Sequence, residues 1–333
     1  DEPSRCRSHR PPGAMTRGLI KLALTLALLL ALFHLLDISL AGILDRLRNF
    51  GFVVVAALLP LTFIPWGSAS RWGYLLGLSG IKERMTVLWG FNWKATFLGL
   101  FLPGSQGLDF FRILFIERRH PGSRGVAGST VVIERMIGFL LLGLFALLAL
   151  SFVYDEERFR PVLALVLAVN GGLVLLVLAV FLVRWRAPDE GSPGIRRGIT
   201  RAVRYLHRLH QAVKGFPYRR GLLPTVIWIA AFQLSLVAVV HLLFLAFDHP
   251  VPFVQNLLFY PLIGLLTVVP VTVSGFGVRE GAFVFFYSLV GVPPEVAVGV
   301  SLLNYLLVIG VPALLGGLLL LFDRGRQIAG RPG

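Results

Sequence analysis

Residues 126–153 read VAGSTVVIERMIGFLLLGLFALLALSFV. A helix crosses the hydrocarbon of a bilayer in about 20 apolar residues at about 1.5 Å each. The stretch is long enough, and its only charges are Glu134 and Arg135. It therefore predicts a transmembrane helix with two charges stranded inside it. Arg135 lies about ten residues in, roughly 15 Å from the helix end, too deep to reach water on its own. Charges at bilayer depth are costly and mark function. Neighbours in a helix point in different directions, so Glu134 and Arg135 each need a partner elsewhere.

Five further runs are long enough to cross: 18–36, 50–66, 162–183, 222–247 and 296–322. Two other apolar regions break in the middle. One runs 87–102, breaks at Pro103-Gly104-Ser105-Gln106-Gly107, and resumes over 108–116. The other runs 253–269, breaks from Pro270 to Gly277, and resumes over 278–290. Their second arms hold about 13 residues or fewer, too short to cross. Each predicts a re-entrant, broken-helix hairpin, tolerated at membrane depth only inside protein or beside a wet cavity.

Composition agrees. Of 333 residues 56% are hydrophobic, and the mean hydropathy is +0.78. That exceeds the roughly 45–50% of soluble domains, so lipid must solvate part of the chain. The net charge of +15 sits mainly between the apolar runs. This fits cytoplasmic basic loops and argues against nucleic-acid binding. Residues 184–221 carry ten Lys/Arg against Asp189 and Glu190, whereas 37–49, 154–161 and 248–252 together carry four Arg against six acids. Six crossings with both termini in the cytoplasm satisfy every loop. The single cysteine, Cys6, excludes a disulfide framework or thiolate metal site within the chain.

The expected organisation is a cytoplasmic disordered tail over 1–17, one transmembrane domain over 18–322, and a cytoplasmic tail over 323–333. Met15 reads as a candidate start, and 1–14 is set aside from the fold. Within 184–221, Ile195, Ile199, Val203, Leu206 and Val213 share one helical face, with Arg196, Arg197, Arg201, Arg204 and Arg208 elsewhere. That pattern predicts an amphipathic helix lying on the anionic inner leaflet. Trp66, Trp72, Trp89, Trp93 and Trp185 are read as interfacial belts. Gln233, His241, Asn170, Asn92 and Lys94 are read as hydrogen-bonding groups between helices.

The two broken regions resemble each other. Pro103 precedes Arg112 by nine residues, and Pro270 precedes Arg279 by nine. Gly104 and Gly107 lie between in one, Gly275 and Gly277 in the other. A proline turn and a long helix follow each, and a polar pair interrupts that helix: Glu134-Arg135 or Asn304-Tyr305. The charge-derived topology gives the two units opposite orientations, the inverted-repeat plan of many transporters.

The buried charges supply the expected site. Arg112, Arg135 and Arg279 are read as converging on a lipid phosphate, because guanidinium binds phosphate bidentately and keeps its charge. Asp109, Glu134 and Glu280 are read as supporting or coupling acids. The breaks at Pro103, Gly104, Gly107, Pro270, Gly275 and Gly277 would add backbone N–H donors. No P-loop, Rossmann glycine pattern, nucleophile elbow or HExxH is present, and neither a catalytic residue, a metal nor a cofactor is expected.

Ser70-Arg71-Trp72, the run from Leu102 to Arg112 (LPGSQGLDFFR), Val132–Gly138 (VIERMIG) and Pro270–Gly281 (PVTVSGFGVREG) followed by Gly291-Val292-Pro293 together resemble one family. It is the transmembrane domain of lysylphosphatidylglycerol synthase, a flippase-like family of integral membrane proteins. The resemblance runs from about Leu19 to Phe322. The family often has Gly-Gly-Asp where this chain has Gly107-Leu108-Asp109, and Asp-Arg where it has Glu134-Arg135. The resemblance implies transfer of an anionic phospholipid or polyprenyl-phosphate-linked lipid between leaflets of the inner (cytoplasmic) membrane. The namesake's synthase activity lies in a separate soluble domain, so aminoacyl transfer is not expected of these residues. The alternative is a non-transporting scaffold for a glycosyltransferase or lipid-modifying enzyme. The compatible protein partners are a second copy or such a membrane enzyme.

Overall fold

The computed structural model describes residue 34 and residues 39–102, 107–153, 157–183, 197–268 and 275–329. Among these, the regular elements are helices. In chain order they are α1 (Leu40–Asp45), α2 (Phe50–Leu78), α3 (Met85–Gly99), α4 (Gly107–Arg119), α5 (Val126–Val153), α6 (Arg160–Leu182), α7 (Arg197–Lys214), α8 (Tyr218–Ala246), α9 (Phe253–Leu266), α10 (Val278–Ser288) and α11 (Pro294–Phe322, running on to Ala329). The helices α2, α5, α6, α8 and α11 are long and apolar enough to cross a membrane. They answer to five of the six expected spans. The span at 18–36 falls, but for His34, outside the described residues, as do the 1–17 tail, Trp185, Pro103, Gly104 and Pro270.

Two boundaries and the tryptophan belt differ from expectation. The span expected to end at Trp66 continues to Leu78. Arg71 and Trp72 resemble an interfacial stop but are buried, because protein partners match the charge. The C-terminal tail begins as helix, since α11 reaches Ala329. The tryptophan belt divides: Trp66 and Trp89 are exposed, whereas Trp72 and Trp93 are buried.

Two shorter helix pairs stand where the broken regions were expected. In the first, α3 and α4 are antiparallel and meet tip to tip at Gly99 and Gly107. A Cβ on Gly107 would come within 2.8 Å of the Gly99 Cα, so neither position has room for a side chain. At the other end of the pair, Arg119 Nε and His120 Nε2 contact Glu83 in the loop before α3. In the second pair, α9 and α10 pack together, with the Tyr287 hydroxyl donating to Asn256 Oδ1 at 2.8 Å. There Gly277 takes φ +82°, a left-handed conformation that glycine adopts without a Cβ penalty. The Glu280 carboxylate accepts the Gly277 N–H at 2.6 Å and so starts α10.

Gln233, Asn170, His241 and Asn92 make polar contacts between helices, as expected. Gln233 donates to the Gly138 carbonyl at 2.7 Å, joining α8 to α5, and Asn170 donates to the Gly143 carbonyl at 3.3 Å, joining α6 to α5. His241 meets Asn256 at 3.2 Å, and Asn92 donates to Ser68 Oγ at 3.4 Å. The largest core lies around α8, α9 and α10, where Phe244, Phe259, Phe283, Phe286 and Tyr287 bury their rings against one another. The segment 311–329 packs closely on α3. Gly316 lies directly against the Trp93 carbonyl, and a Cβ on Gly317 would sit 3.0 Å from the Phe97 ring.

The expected helix of the basic segment is α7. It docks on the protein through buried Val213, the Tyr205 hydroxyl donating to Glu117 at 3.1 Å, and Lys214 donating to the Val183 carbonyl at 2.9 Å. Glu117 also accepts the Gly125 N–H at 2.9 Å, so one carboxylate gathers α4, the start of α5 and α7. Burial and this carboxylate push the Tyr205 phenol up.

Two predictions follow from packing and from charge. Replacing glycine by alanine in a helix interior gains about 1 kcal/mol in propensity. Gly172→Ala, with open space around its Cβ, should raise the melting temperature in detergent. Gly316→Ala should lower it, because the clash costs about 1–3 kcal/mol. Glu83 is the pH-sensitive contact. Burial works to raise its pKa, but the Arg84 N–H and the Arg119 and His120 side chains outweigh it and hold the carboxyl below 4.5. A depressed carboxyl stabilises the fold above its unfolded pKa and loses that contribution as pH falls through the folded value. Melting temperature should therefore drop less steeply on acidification in Glu83→Gln than in the unaltered protein.

Candidate functional site

The charged pair of α5 is the starting point. Successive residues of a helix point about 100° apart. Glu134, 6% exposed, faces Arg71 of α2 and Arg112 of α4. Arg71 Nη2 donates to Glu134 Oε1 at 2.5 Å, and Arg112 Nη2 to Glu134 Oε2 at 3.1 Å. Arg135 faces the other way and donates to Asp109 Oδ2 at 2.6 Å. Asp109 and Arg112 stand three residues apart on one face of α4, with a 3.4 Å contact between them. Five charges from three helices thus form one chain: Arg71, Glu134, Arg112, Asp109, Arg135.

Aromatic rings hold the guanidinium groups. Arg112 lies 4.3 Å over Trp72, whose indole N–H donates to Thr130 Oγ1 at 3.3 Å, and Arg71 lies 4.6 Å over Phe232. Stacking of this kind orients a guanidinium without using its N–H groups. Several of those remain unused. Arg71 Nε and Nη1 and Arg112 Nε are buried with no hydrogen-bond partner, and so is Gln233 Oε1 nearby.

Charge arithmetic decides what such a site can hold. Arg71, Arg112 and Arg135 are three cations; Asp109 and Glu134 are two anions, which leaves one excess positive charge. Arg71 is 4% exposed and Arg112 1%, so water does little to compensate these two, whereas the Arg135 side chain is 37% exposed. Arg71, Glu134, Arg135, Phe232 and Gln233 help line a cavity of about 60 Å³. Arg135 and Phe139 also belong to an apolar groove of about 350 Å³ between α5 and α6, walled by Leu173, Leu176 and Val177. Arg135 therefore stands between a small polar cavity and a long greasy one.

Arg279 and Glu280 form a second cluster. Unlike Glu134 and Arg135, these two neighbours pair with each other, through Arg279 Nη2 and Glu280 Oε1. The Ser301 hydroxyl donates to Glu280 at 3.1 Å and accepts from Arg279 Nε at 3.1 Å. The rings of Phe276 and Tyr305 flank the guanidinium at 5.0 and 4.3 Å. One cation and one anion make this cluster neutral. Among the described residues no hydrogen bond or ion pair joins it to the first, so Arg279 does not share a carboxylate with Arg112 and Arg135.

Arg71 is the residue that sequence reasoning missed. It lay in the Ser70-Arg71-Trp72 segment but beyond the expected end of its span, and was given no role. The signal was Glu134, which needed a distant cation. Arg71→Met leaves two cations against two anions and should keep or raise the melting temperature. Glu134→Gln strands two guanidinium groups and should cost about 3–5 kcal/mol, read as a lower melting temperature in detergent.

Comparison with known proteins accords with the helical architecture. Residues 18–316 match the family described as the lysylphosphatidylglycerol synthase TM region. The chain is 23% identical over 291 residues to a UPF0104 membrane protein of Methanocaldococcus jannaschii, covering 80% of this chain and 82% of that one. It is 23% identical over 301 residues to a UPF0104 membrane protein of Pyrococcus horikoshii, covering 82% and 87%. A match across almost the whole helical bundle, carrying both charged clusters, makes this chain a multi-pass membrane protein of the lysylphosphatidylglycerol synthase TM family.

Proposed function

We propose that the protein binds an anionic lipid by its phosphate and carries it between the leaflets of the membrane. One observation carries this reading: a buried cluster with one positive charge too many, unused N–H donors on Arg71 and Arg112, and an apolar groove alongside. A phosphate headgroup supplies the missing negative charge and accepts the free N–H groups. An acyl or prenyl chain fits the groove at Arg135. The family's description names a phospholipid, and a phosphate is the part of it that this cluster lacks.

The same reading gives the topology. The apolar run 18–36, by its length in the sequence, would make a sixth crossing and place both termini and the basic segment 184–221 in the cytoplasm of a cell whose inner membrane holds the protein. The pair α3 and α4 re-enters from the cytoplasmic face and α9 and α10 from the other, as halves of an inverted repeat. Their helices of 13 and 11 residues are too short to cross alone. The helix α7 lies along the inner leaflet, with exposed Leu206 turned to lipid and exposed Arg204 and Arg208 to headgroups. The neutral Arg279 and Glu280 cluster holds the second hairpin in place and is not the anion site.

Proteoliposomes test this. Protein reconstituted with a fluorescent anionic phospholipid should make inner-leaflet label accessible to a membrane-impermeant quencher. Arg71→Met should slow that exposure by about tenfold or more, the worth of one or two charge-assisted hydrogen bonds, without unfolding the protein. Unchanged exchange in Arg71→Met and in Arg112→Gln would refute the headgroup role.

A further inference from the structure

Another cavity, of about 170 Å³, is bordered by Phe232, which also lines the small cavity beside Arg71. It sits where α2, α3, α8 and α11 meet. Two of these helices are interrupted beside it by π-helical turns, Leu59–Phe63 in α2 and Leu306–Gly310 in α11, which touch each other. Such turns recur at binding sites because they open the regular backbone ladder. Pro60, Pro65 and Pro312 line the same space. A proline has no N–H to give, so each deprives a carbonyl about one turn earlier of its helical donor.

The polar lining is uncharged. Ser68, Asn92, Trp93 and Thr96 supply it. The Thr96 hydroxyl is spent on the Asn92 carbonyl at 2.8 Å, and Ser68 Oγ accepts from Asn92 Nδ2 at 3.4 Å. Two atoms remain: Asn92 Oδ1 and Trp93 Nε1 are buried and have no partner, on side chains whose residues are 5% and 4% exposed. An unpaired polar group so placed costs about 1–3 kcal/mol unless something occupies the space. Turning the Asn92 amide over exchanges its ends and still leaves one unpaired. A group that satisfies either orientation, and an indole N–H as well, must both donate and accept, and among uncharged lipid groups a hydroxyl is the smallest that does. An ammonium cannot accept from Trp93, and a carboxylate or phosphate would meet no cation in this lining. The volume matches that of a cavity which admits one six-membered ring, about 150 Å³.

We infer that this cavity is a second ligand site, which takes an uncharged hydroxyl-bearing group no larger than one six-membered ring, held by Asn92 and Trp93. The inference rests on the lipid reading in one respect: a lipid brings the ring into the bilayer. That lipid is either the phospholipid seated at Arg71, reaching past Phe232, or a separate neutral glycolipid.

Native mass spectrometry of the purified full chain, offered three lipids with the same acyl chains, tests it. Phosphatidic acid has the phosphate and no ring, phosphatidylinositol has both, and monogalactosyl diacylglycerol has the ring alone. If the phospholipid carries the ring, phosphatidylinositol should be retained about tenfold over phosphatidic acid, the worth of one to two net hydrogen bonds. If a separate lipid carries it, the galactolipid should be retained and phosphatidylinositol should show no advantage. In either case Asn92→Leu and Trp93→Phe should abolish the ring-dependent retention and leave phosphatidic acid untouched. Trp93→Phe removes only the N–H side of the ring, so it carries the test even should Asn92→Leu fail to fold. Ring-lipid retention that neither variant changes, or that is absent from the unaltered protein, overturns the second site. Phosphatidic acid retention and its loss in Arg71→Met report the anion site separately, so each idea can fall while the other stands.

Discussion

The carboxylate of Glu134, buried in the middle of α5 and shared by two arginines from other helices, is the constraint around which this molecule is organised. A lone carboxylate at that depth would be prohibitively costly, and so would each guanidinium. Joined, they fix the rotation of α5, the depth of α4 and the length of α2 at once. Arg71 can lie inside a membrane-spanning helix only because Glu134 is there, so α2 runs on for twelve residues beyond Trp66 to Leu78. Arg112 can lie near the start of a short helix only because the same carboxylate and Trp72 receive it. Salt bridges of this kind contribute little net stability but specify one arrangement against others, and a five-membered chain does so for three helices together.

Around that constraint the glycines and prolines act as spacers. Gly99 and Gly107 let the backbones of α3 and α4 touch, which sets Asp109 about half a turn and Arg112 about one and a half turns from the tip. Gly277 and the Glu280 cap do the equivalent for α10 by a different route, with a left-handed residue and a side-chain hydrogen bond. The two hairpins are alike in outline and unlike in charge. One carries an uncompensated cation next to a cavity, the other a closed ion pair locked by Ser301.

Phe232 ties the site together. One of its sides stacks on Arg71 and borders the cationic cavity; its residue also borders the uncharged cavity between the π-helical turns. Uncharged, cationic and apolar spaces are thus linked in that order, the first two through Phe232 and the last two through Arg135. The interior is polar only where a partner is supplied or where space has been left for one.

The sequence by itself determined the membrane class, five of the spans, the two short helix pairs, the amphipathic α7 and the identity of four of the five clustered charges. All of these depend on local pattern: run length, glycine and proline breaks, and charges too deep to be solvated. It did not determine that Arg71 belongs with Glu134, that Arg279 pairs with its own neighbour, that Trp72 and Trp93 are interior, or that two cavities share Phe232. Helical periodicity gives the direction in which a side chain leaves its own axis, but not which helix stands opposite. Pairing between residues 63 positions apart, like the unpaired ends of Asn92 and Trp93, is a property of the packed bundle, and only the tertiary structure decided it.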